Sequence, residues 1–121
     1  MSQLWLALTD EQEFVSLGLH ETFDNANNCA QGNTVWVLDK ENALEWKNKL
    51  SNMTSGCAQS VNSWLCVDYA GQIRFVGEFH SIEEADQSLE FECVWLIHRD
   101  TALSWIQQLS LLMNDAPLVY A

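Results

Sequence analysis

Proline, glycine and basic residues are scarce in this chain of 121 residues. One proline, five glycines and 48% hydrophobic residues exclude a low-complexity or disordered protein. Five Lys and Arg residues stand against 17 Asp and Glu, so the formal net charge is −12. Such a chain lacks the basic surface that DNA, RNA or an anionic lipid requires. The composition therefore predicts no direct nucleic-acid partner and suits a protein whose partner is basic.

Long apolar runs and export signals are also missing. No stretch approaches the roughly 18 apolar residues of a membrane-spanning helix. The run from Leu4 to Leu8 follows no basic residue and stops at Thr9, which predicts a strand and not a signal peptide. The four cysteines form no C-x-x-C motif and are expected to be reduced thiols. They are Cys29, Cys57, Cys66 and Cys93. These features predict a cytoplasmic protein without a membrane partner.

One stretch of the sequence occurs twice, 59 residues apart. The segment 35–51, VWVLDKENALEWKNKLS, matches the segment 94–110, VWLIHRDTALSWIQQLS. The same offset, extended without a gap, pairs Trp5 with Trp64 and sorts all six tryptophans into three matched pairs. A fixed offset of this kind is the signature of an internal repeat. The sequence therefore predicts a tandem duplication of a unit of about 60 residues.

Each repeat has the pattern strand–strand–short helix–strand–helix, or ββαβα. The strands are predicted, in chain order, at 4–8, 14–19, 34–38, 64–67, 72–79 and 93–97. Because the third strand of each repeat is almost entirely apolar, it is expected in the middle of its sheet with both faces covered. Ser81 and Glu84 have the spacing of a capping box, which begins a short helix in repeat 2. The long helices follow, each with an apolar stripe at helical spacing.

The two repeats are expected to form one α+β domain over residues 1–121. A unit of this size alone buries only about 60% of its unfolded surface, so the copies are expected to share a core. Repeat 1 covers about 1–54 and repeat 2 about 60–113, with a linker at about 52–62. Like the subunits of a dimer, the copies are expected to pack about a pseudo-twofold axis, with mostly antiparallel sheet. The tryptophans are expected in that core and not on an aromatic binding platform.

Acidic residues are concentrated in repeat 2. Six acids and no Lys or Arg lie between Phe75 and His98. They are Glu78, Glu83, Glu84, Asp86, Glu90 and Glu92, here called the acidic set. The matching stretch of repeat 1 contains only Glu21 and Asp24 before its third strand. Most charge runs are solvated helix surfaces. A set confined to one copy also fits a docking surface for a basic protein, because charge complementarity accelerates association.

Two histidines support an alternative hypothesis. His20 and His80 lie within one position of each other in the repeat alignment, at the ends of equivalent strands. With Glu21 or Glu78 they would form a metal site or an acid–base pair in a cleft between the repeats. No H-x-x-x-H or H-E-x-x-H motif is present, so the preferred interpretation has no metal ligand and the histidine pair is kept as the alternative. The alternative function is therefore a small-molecule or metal-binding module.

Catalytic and nucleotide-binding motifs such as G-x-G-x-x-G, the P-loop and G-x-S-x-G are missing from the sequence. The chain is predicted not to be an enzyme and to need no cofactor. The expected function is a small acidic cytoplasmic protein that inhibits or neutralises a basic partner. Immunity proteins and phage anti-defence proteins act in this way by masking a nuclease or nucleic-acid-binding surface. The chain is expected to be a monomer or a homodimer, and a self-assembling structural protein is the third hypothesis.

Overall fold

The computed structural model describes residues 2–90 and 92–113. Within them, the element order ββαβα occurs twice along the chain. The strands are β1 (Gln3–Thr9), β2 (Phe14–His20), β3 (Thr34–Asp39), β4 (Ser63–Val67), β5 (Ile73–Glu78) and β6 (Trp95–His98). The helices are α1 (Phe23–Cys29), α2 (Lys40–Ser55), α3 (Ile82–Gln87) and α4 (Arg99–Leu112). The chain is therefore a mixed α+β protein, as predicted.

The described strands form two three-stranded antiparallel sheets, with the orders β2-β1-β3 and β5-β4-β6. The first strand of each set is central, so the expectation that the third strand would be central was wrong. Strand β1 is buried from Trp5 to Thr9, whereas Leu38 is the only buried residue of β3. The first strand of each unit pairs along both edges, and the third strand lies at the edge of its sheet.

The apolar composition of the third strands has a different cause. Trp36 of β3 meets Trp46 of α2 edge to face, with ring centroids 5.7 Å apart. Trp95 of β6 meets Trp105 of α4 in the same way at 6.2 Å. Edge-to-face geometry is the favoured arrangement of aromatic pairs. The large apolar side chains of these outer strands therefore serve the contact with the following helix.

The chain divides into two compact units. Unit 1 consists of Met1–Lys47 and Gln107–Ala121, and unit 2 consists of Asn48–Ile106. The boundaries fall inside α2 and α4, and the predicted linker at about 52–62 begins within α2. The buried apolar residues of unit 1 include Leu6, Ala7, Leu8, Phe14, Ala26, Leu38, Ala43, Trp46 and Leu109. Those of unit 2 include Leu50, Ala58, Leu65, Cys66, Val67, Ile73, Ala85, Ile97, Ala102 and Trp105.

A tryptophan in the central strand of unit 1 sits at a β-bulge. The register between β1 and β2 shifts just after Trp5, which pairs with Gly18. Gly18 has a φ of +87°, a region that glycine adopts at little cost. The bulge lets the Trp5 indole Nε1 donate to the carbonyl of His20 at 3.0 Å. A buried indole N–H thereby finds the acceptor it needs.

Unit 2 has the same local geometry at the matched positions. The register shifts after Trp64, which pairs with Gly77 at a φ of +150°. The Trp64 indole Nε1 donates to the carbonyl of Phe79 at 3.0 Å. The short helices also begin alike, since the hydroxyl of Thr22 or Ser81 accepts from a backbone N–H three residues later at 3.2 Å. Each of these helices buries one alanine.

Candidate functional site

Helix α3 carries three members of the acidic set. The Ser81 hydroxyl accepts the Glu84 N–H as in a capping box, but the Glu84 carboxylate accepts the backbone N–H of His80, one residue before the cap, at 3.0 Å. Ala85 is buried, whereas Glu83 and Asp86 are exposed. Carboxylates near a helix N-terminus are also favoured by the helix dipole. The local sequence thus holds these charges at the surface of unit 2 at little energetic cost.

All six members of the acidic set are exposed. Glu78 ends β5, and Glu90 and Glu92 lie in the connection between α3 and β6. Within residues 2–90 and 92–113, no ion pair engages any of the six. Their negative charge is therefore not neutralised by a Lys or Arg of the described chain.

Two members of the acidic set share a groove in unit 2, here called the unit 2 groove. Its volume is about 430 Å³. It is lined by Asp86, Glu92, Leu89, Val94, Leu96, Cys93 and Tyr69. The other four acids do not line it. The structure thus brings Asp86 and Glu92 together beside apolar side chains, and it leaves the remaining acids on the surrounding surface of the unit.

A buried carboxylate that was not predicted as a site residue, Asp68, organises the turn between β4 and β5. Its Oδ1 accepts the backbone N–H groups of Gln72 and Ala70, both at 2.9 Å. Its Oδ2 accepts Nε of Arg74 at 2.9 Å. The Gln72 N–H, followed by the Arg74 hydrogen bond, holds the pKa of the Asp68 carboxyl below its ordinary value. An Asp at the start of a tight turn is the sequence signal for such a role.

Two cysteines of unit 2, Cys66 and Cys93, are free thiols that are at least partly buried. Cys66 is fully buried in β4. Cys93 is half-buried, and its Sγ donates to the carbonyl of Trp95 at 2.7 Å. Burial, with a smaller effect of Cys93, raises the pKa of the Cys66 thiol to about 12. Burial also raises the pKa of Cys93. Neither residue has a cysteine at its matched position in repeat 1.

The two histidines of the alternative hypothesis have separate local roles. His20 is half-buried in unit 1, and its Nε2 hydrogen-bonds with the carbonyl of Leu17 at 2.7 Å. His80 is exposed in unit 2. Among the residues that the structure describes, no group of three or more His, Cys, Asp or Glu side chains is arranged to hold a metal ion. A metal or small-molecule site at His20 and His80 stays a prediction.

Neither a membrane-spanning helix nor a similarity to known proteins indicates the function. No helix of the described residues has both the length and the apolar character needed to cross a bilayer. No protein-family model, no curated protein and no solved structure matches the chain.

Proposed function

We propose that this chain is an acidic binding protein that neutralises a basic partner protein, and that the acidic set is its docking surface. The observation that carries the proposal is the exposure of all six carboxylates without an ion pair among the described residues. Exposed charge of one sign steers an oppositely charged partner and accelerates association. The partner class is a nuclease or another nucleic-acid-binding protein, because such proteins present Lys and Arg to phosphate groups.

The unit 2 groove supports a specific contact within that surface. Asp86 and Glu92 provide carboxylates, and Leu89 and Leu96 provide apolar surface beside them. An Arg or Lys side chain has a complementary construction, with an apolar stem and a cationic end. A charge-assisted hydrogen bond to a carboxylate is about twice as strong as a neutral one. The groove therefore suits one basic side chain of the partner, and the surrounding acids act through steering.

We also infer that the chain arose by tandem duplication of a ββαβα unit. The matched bulges, indole hydrogen bonds and helix caps support this origin. That the copies pack about a pseudo-twofold axis stays a prediction.

The duplication explains what is special about the acidic set. Four of its members stand where repeat 1 has an uncharged amide. The matched pairs are Glu84 and Asn25, Asp86 and Asn27, Glu90 and Gln31, and Glu92 and Asn33. The side chains of the second and third pairs have the same length, those of the other two pairs differ by one methylene group, and all four pairs differ in charge. A difference of this kind is expected where one copy binds a charged partner and the other does not.

The test uses repeat 1 as the template for neutral substitutions. The immobilised chain captures its partner from cells of its source, and association of the purified partner is then followed by stopped flow. We expect a basic partner whose association rate falls at least about tenfold with the triple variant Asp86→Asn, Glu90→Gln and Glu92→Asn. Raising the salt concentration from about 0.05 to about 0.5 M should likewise lower the association rate of the unsubstituted protein.

A second triple variant separates a local docking surface from the effect of net charge. Asp10→Asn, Glu11→Gln and Glu13→Gln neutralise three exposed acids in the β1–β2 turn of unit 1 and change the net charge by the same amount. We expect this variant to retain most of the association rate. Equal slowing by both variants, or an unchanged rate with the unit 2 variant, would overturn the acidic set as the docking surface.

A further inference from the structure

We propose that an apolar groove of unit 1, here called the unit 1 groove, binds residues 114–121 of the same chain. The groove has a volume of about 360 Å³. It lies between the start of β2 and the last turns of α4. Its lining residues are Glu13, Phe14, Val15, Gln108, Leu111 and Leu112. The inference rests on the repeat alignment and does not depend on the proposed docking function.

The unit 1 groove leaves apolar side chains open to solvent. Leu111 is 67% exposed and Val15 is 38% exposed. Gln108 joins the two sides of the groove, because its Oε1 accepts the backbone N–H of Phe14 at 2.9 Å. Single exposed apolar residues are ordinary, but several around one concave surface mark a site of interaction. An apolar segment that fills the groove would remove this surface from water.

The open apolar side chains of the groove are particular to unit 1. The two exposed apolar residues, Val15 and Leu111, are matched in unit 2 by Arg74 and Asn52. The other two apolar lining residues, of which Phe14 is buried, are matched by apolar residues. The shared fold therefore keeps the inner apolar residues in both copies, and it does not require the outer ones.

The segment proposed to fill the groove differs between the repeats in the same direction. Residues 114–121, NDAPLVYA, match residues 55–62, SGCAQSVN, and both segments are eight residues long. Leu118 and Val119 stand where the first segment has Gln59 and Ser60. An apolar segment thus accompanies the apolar groove, and a polar segment accompanies its polar counterpart. This joint change is expected if the groove and the segment are in contact.

Unit 2 shows where the matched segment packs. Residues 55–62 belong to unit 2, as does the second half of α2. Ala58 is fully buried, and its N–H donates to the carbonyl of Met53 at 2.7 Å. The carbonyl of Ala58 accepts Nε of Arg99 at 2.8 Å. The chain therefore folds back from α2 onto the unit that holds the end of this helix. Because the end of α4 belongs to unit 1, the same path brings residues 114–121 onto unit 1.

The segment has the length and the composition to fill the groove. The last turn of α4 lines the groove at Leu111 and Leu112, and Leu118 is five residues beyond Met113. Five extended residues span up to about 17 Å, which is enough to reverse direction and return to the last helical turn. Pro117 disfavours continuation of α4 through this segment. The apolar residues that follow Pro117 then supply the surface that enters the groove.

The first experiment is NMR on the full chain, in which Tyr120 is one of two tyrosines. Tyrosine rings and Leu and Val methyl groups carry the isotope label, and Tyr120→Phe assigns the ring signals. We expect nuclear Overhauser contacts from the Leu118 methyl groups or the Tyr120 ring to the methyl groups of Val15 and Leu111. An isotope-filtered spectrum of mixed labelled and unlabelled chains should show no such contact between chains. Missing contacts, or contacts found between two chains only, would overturn the proposal.

A pair of substitutions tests the same contact by its effect on stability. Leu118→Gln introduces the residue of the matched position, and Leu111→Gln keeps a good helix former in α4. We expect each to lower the urea midpoint, and the double variant to fall no further than the larger single effect. Leu19→Gln, at a leucine that is 68% exposed outside the groove, is the control and should be additive with Leu118→Gln. Additive effects of Leu118→Gln and Leu111→Gln, or an unchanged midpoint with Leu118→Gln, would contradict the contact.

Discussion

Thr9 and Asp68 occupy matched positions in the two repeats, and each side chain accepts two backbone N–H groups of its turn. The acceptor is a hydroxyl in Thr9 and a carboxylate in Asp68. The Thr9 hydroxyl accepts the N–H groups of Glu11 and Glu13 at 3.3 and 3.4 Å. The Asp68 carboxylate accepts the equivalent N–H groups at 2.9 Å and also binds the Arg74 side chain. An ionised acceptor makes shorter and stronger hydrogen bonds than a hydroxyl. The turn of unit 2 is therefore held more firmly than that of unit 1.

Substitution of Asp68 should show how much this acceptor contributes. Asp68→Ala leaves two N–H groups of the turn without their side-chain acceptor, so we expect a lower free energy of unfolding. Asp68→Thr copies the residue of unit 1 and should lose less. Urea denaturation of both variants measures the difference. Equal losses in the two variants would contradict the role given to the side-chain acceptor.

Asp68 should also make the free energy of unfolding depend on pH. The pKa of Asp68 is lower in the folded chain than its ordinary value of 3.8, chiefly because of the Gln72 N–H. Its contribution is therefore present above that ordinary value and is lost as the pH falls through the lower, folded value. Between about pH 5 and about pH 2, the unsubstituted protein should lose more stability than Asp68→Thr. Parallel pH profiles of the urea midpoint would contradict this expectation.

At the scale of elements, the paired bulges depend on two glycines. Gly18 has a φ of +87° and Gly77 a φ of +150°, and a Cβ added at Gly77 would lie 2.9 Å from Cε2 of Phe79. Each bulge changes the direction of its strand, which places a backbone carbonyl within hydrogen-bonding distance of the tryptophan in the central strand. The positive φ of each glycine thus accompanies the hydrogen bond of the tryptophan that it pairs with.

Replacement of these glycines should therefore destabilise both sheets. We expect Gly18→Ala and Gly77→Ala each to lose about 1–3 kcal/mol, because a side chain disfavours a positive φ. Gly77→Ala should lose more, since the ring of Phe79 must also move. Gly32→Ala is the matched control, as nothing lies within 4 Å of its added Cβ and its φ is outside the positive region. Urea midpoints of the three variants check the order, and a control as unstable as Gly77→Ala would contradict it.

At the scale of the whole molecule, the acidic excess is not confined to unit 2. Acids outnumber bases in both units, with nine against two in unit 1 and eight against three in unit 2. The net charge of −12 therefore acts on the chain as a whole. The acidic set is distinguished instead by the neutral amides at four of its six matched positions in repeat 1.

Self-repulsion at this net charge should make added salt stabilising. A large net charge disfavours the compact state, and ions screen it over a Debye length of about 10 Å at 0.1 M. We expect the urea midpoint to rise when NaCl is increased from about 0.01 to about 0.2 M, where the Debye length shortens several-fold. A thermal melt at each salt concentration is the independent check. A midpoint that falls with salt would mean that local ion pairs such as Arg74 with Asp68 dominate over the net charge.

The sequence by itself determined the order ββαβα in both halves, the caps at Thr22 and Ser81, and the exposed acids of α3. Each of these depends on residues that are near in the chain, so periodicity and capping patterns report them. The repeat alignment also predicted a strand or a helix at every tryptophan, and each of the six lies in such an element.

Only the tertiary structure decided which strand is central, which acids meet in the unit 2 groove, and that Cys93 lines the same groove. An apolar third strand is compatible either with a central position in the sheet or with an outer position packed against a helix. The outer position is the one observed, since β3 lies at the edge of its sheet and Trp36 packs against Trp46 of α2. Asp86 and Glu92 come together only because the chain turns between α3 and β6. The physical reason is common to all three: contacts between residues distant in sequence are selected by the packing of the elements, and a local pattern does not encode that packing.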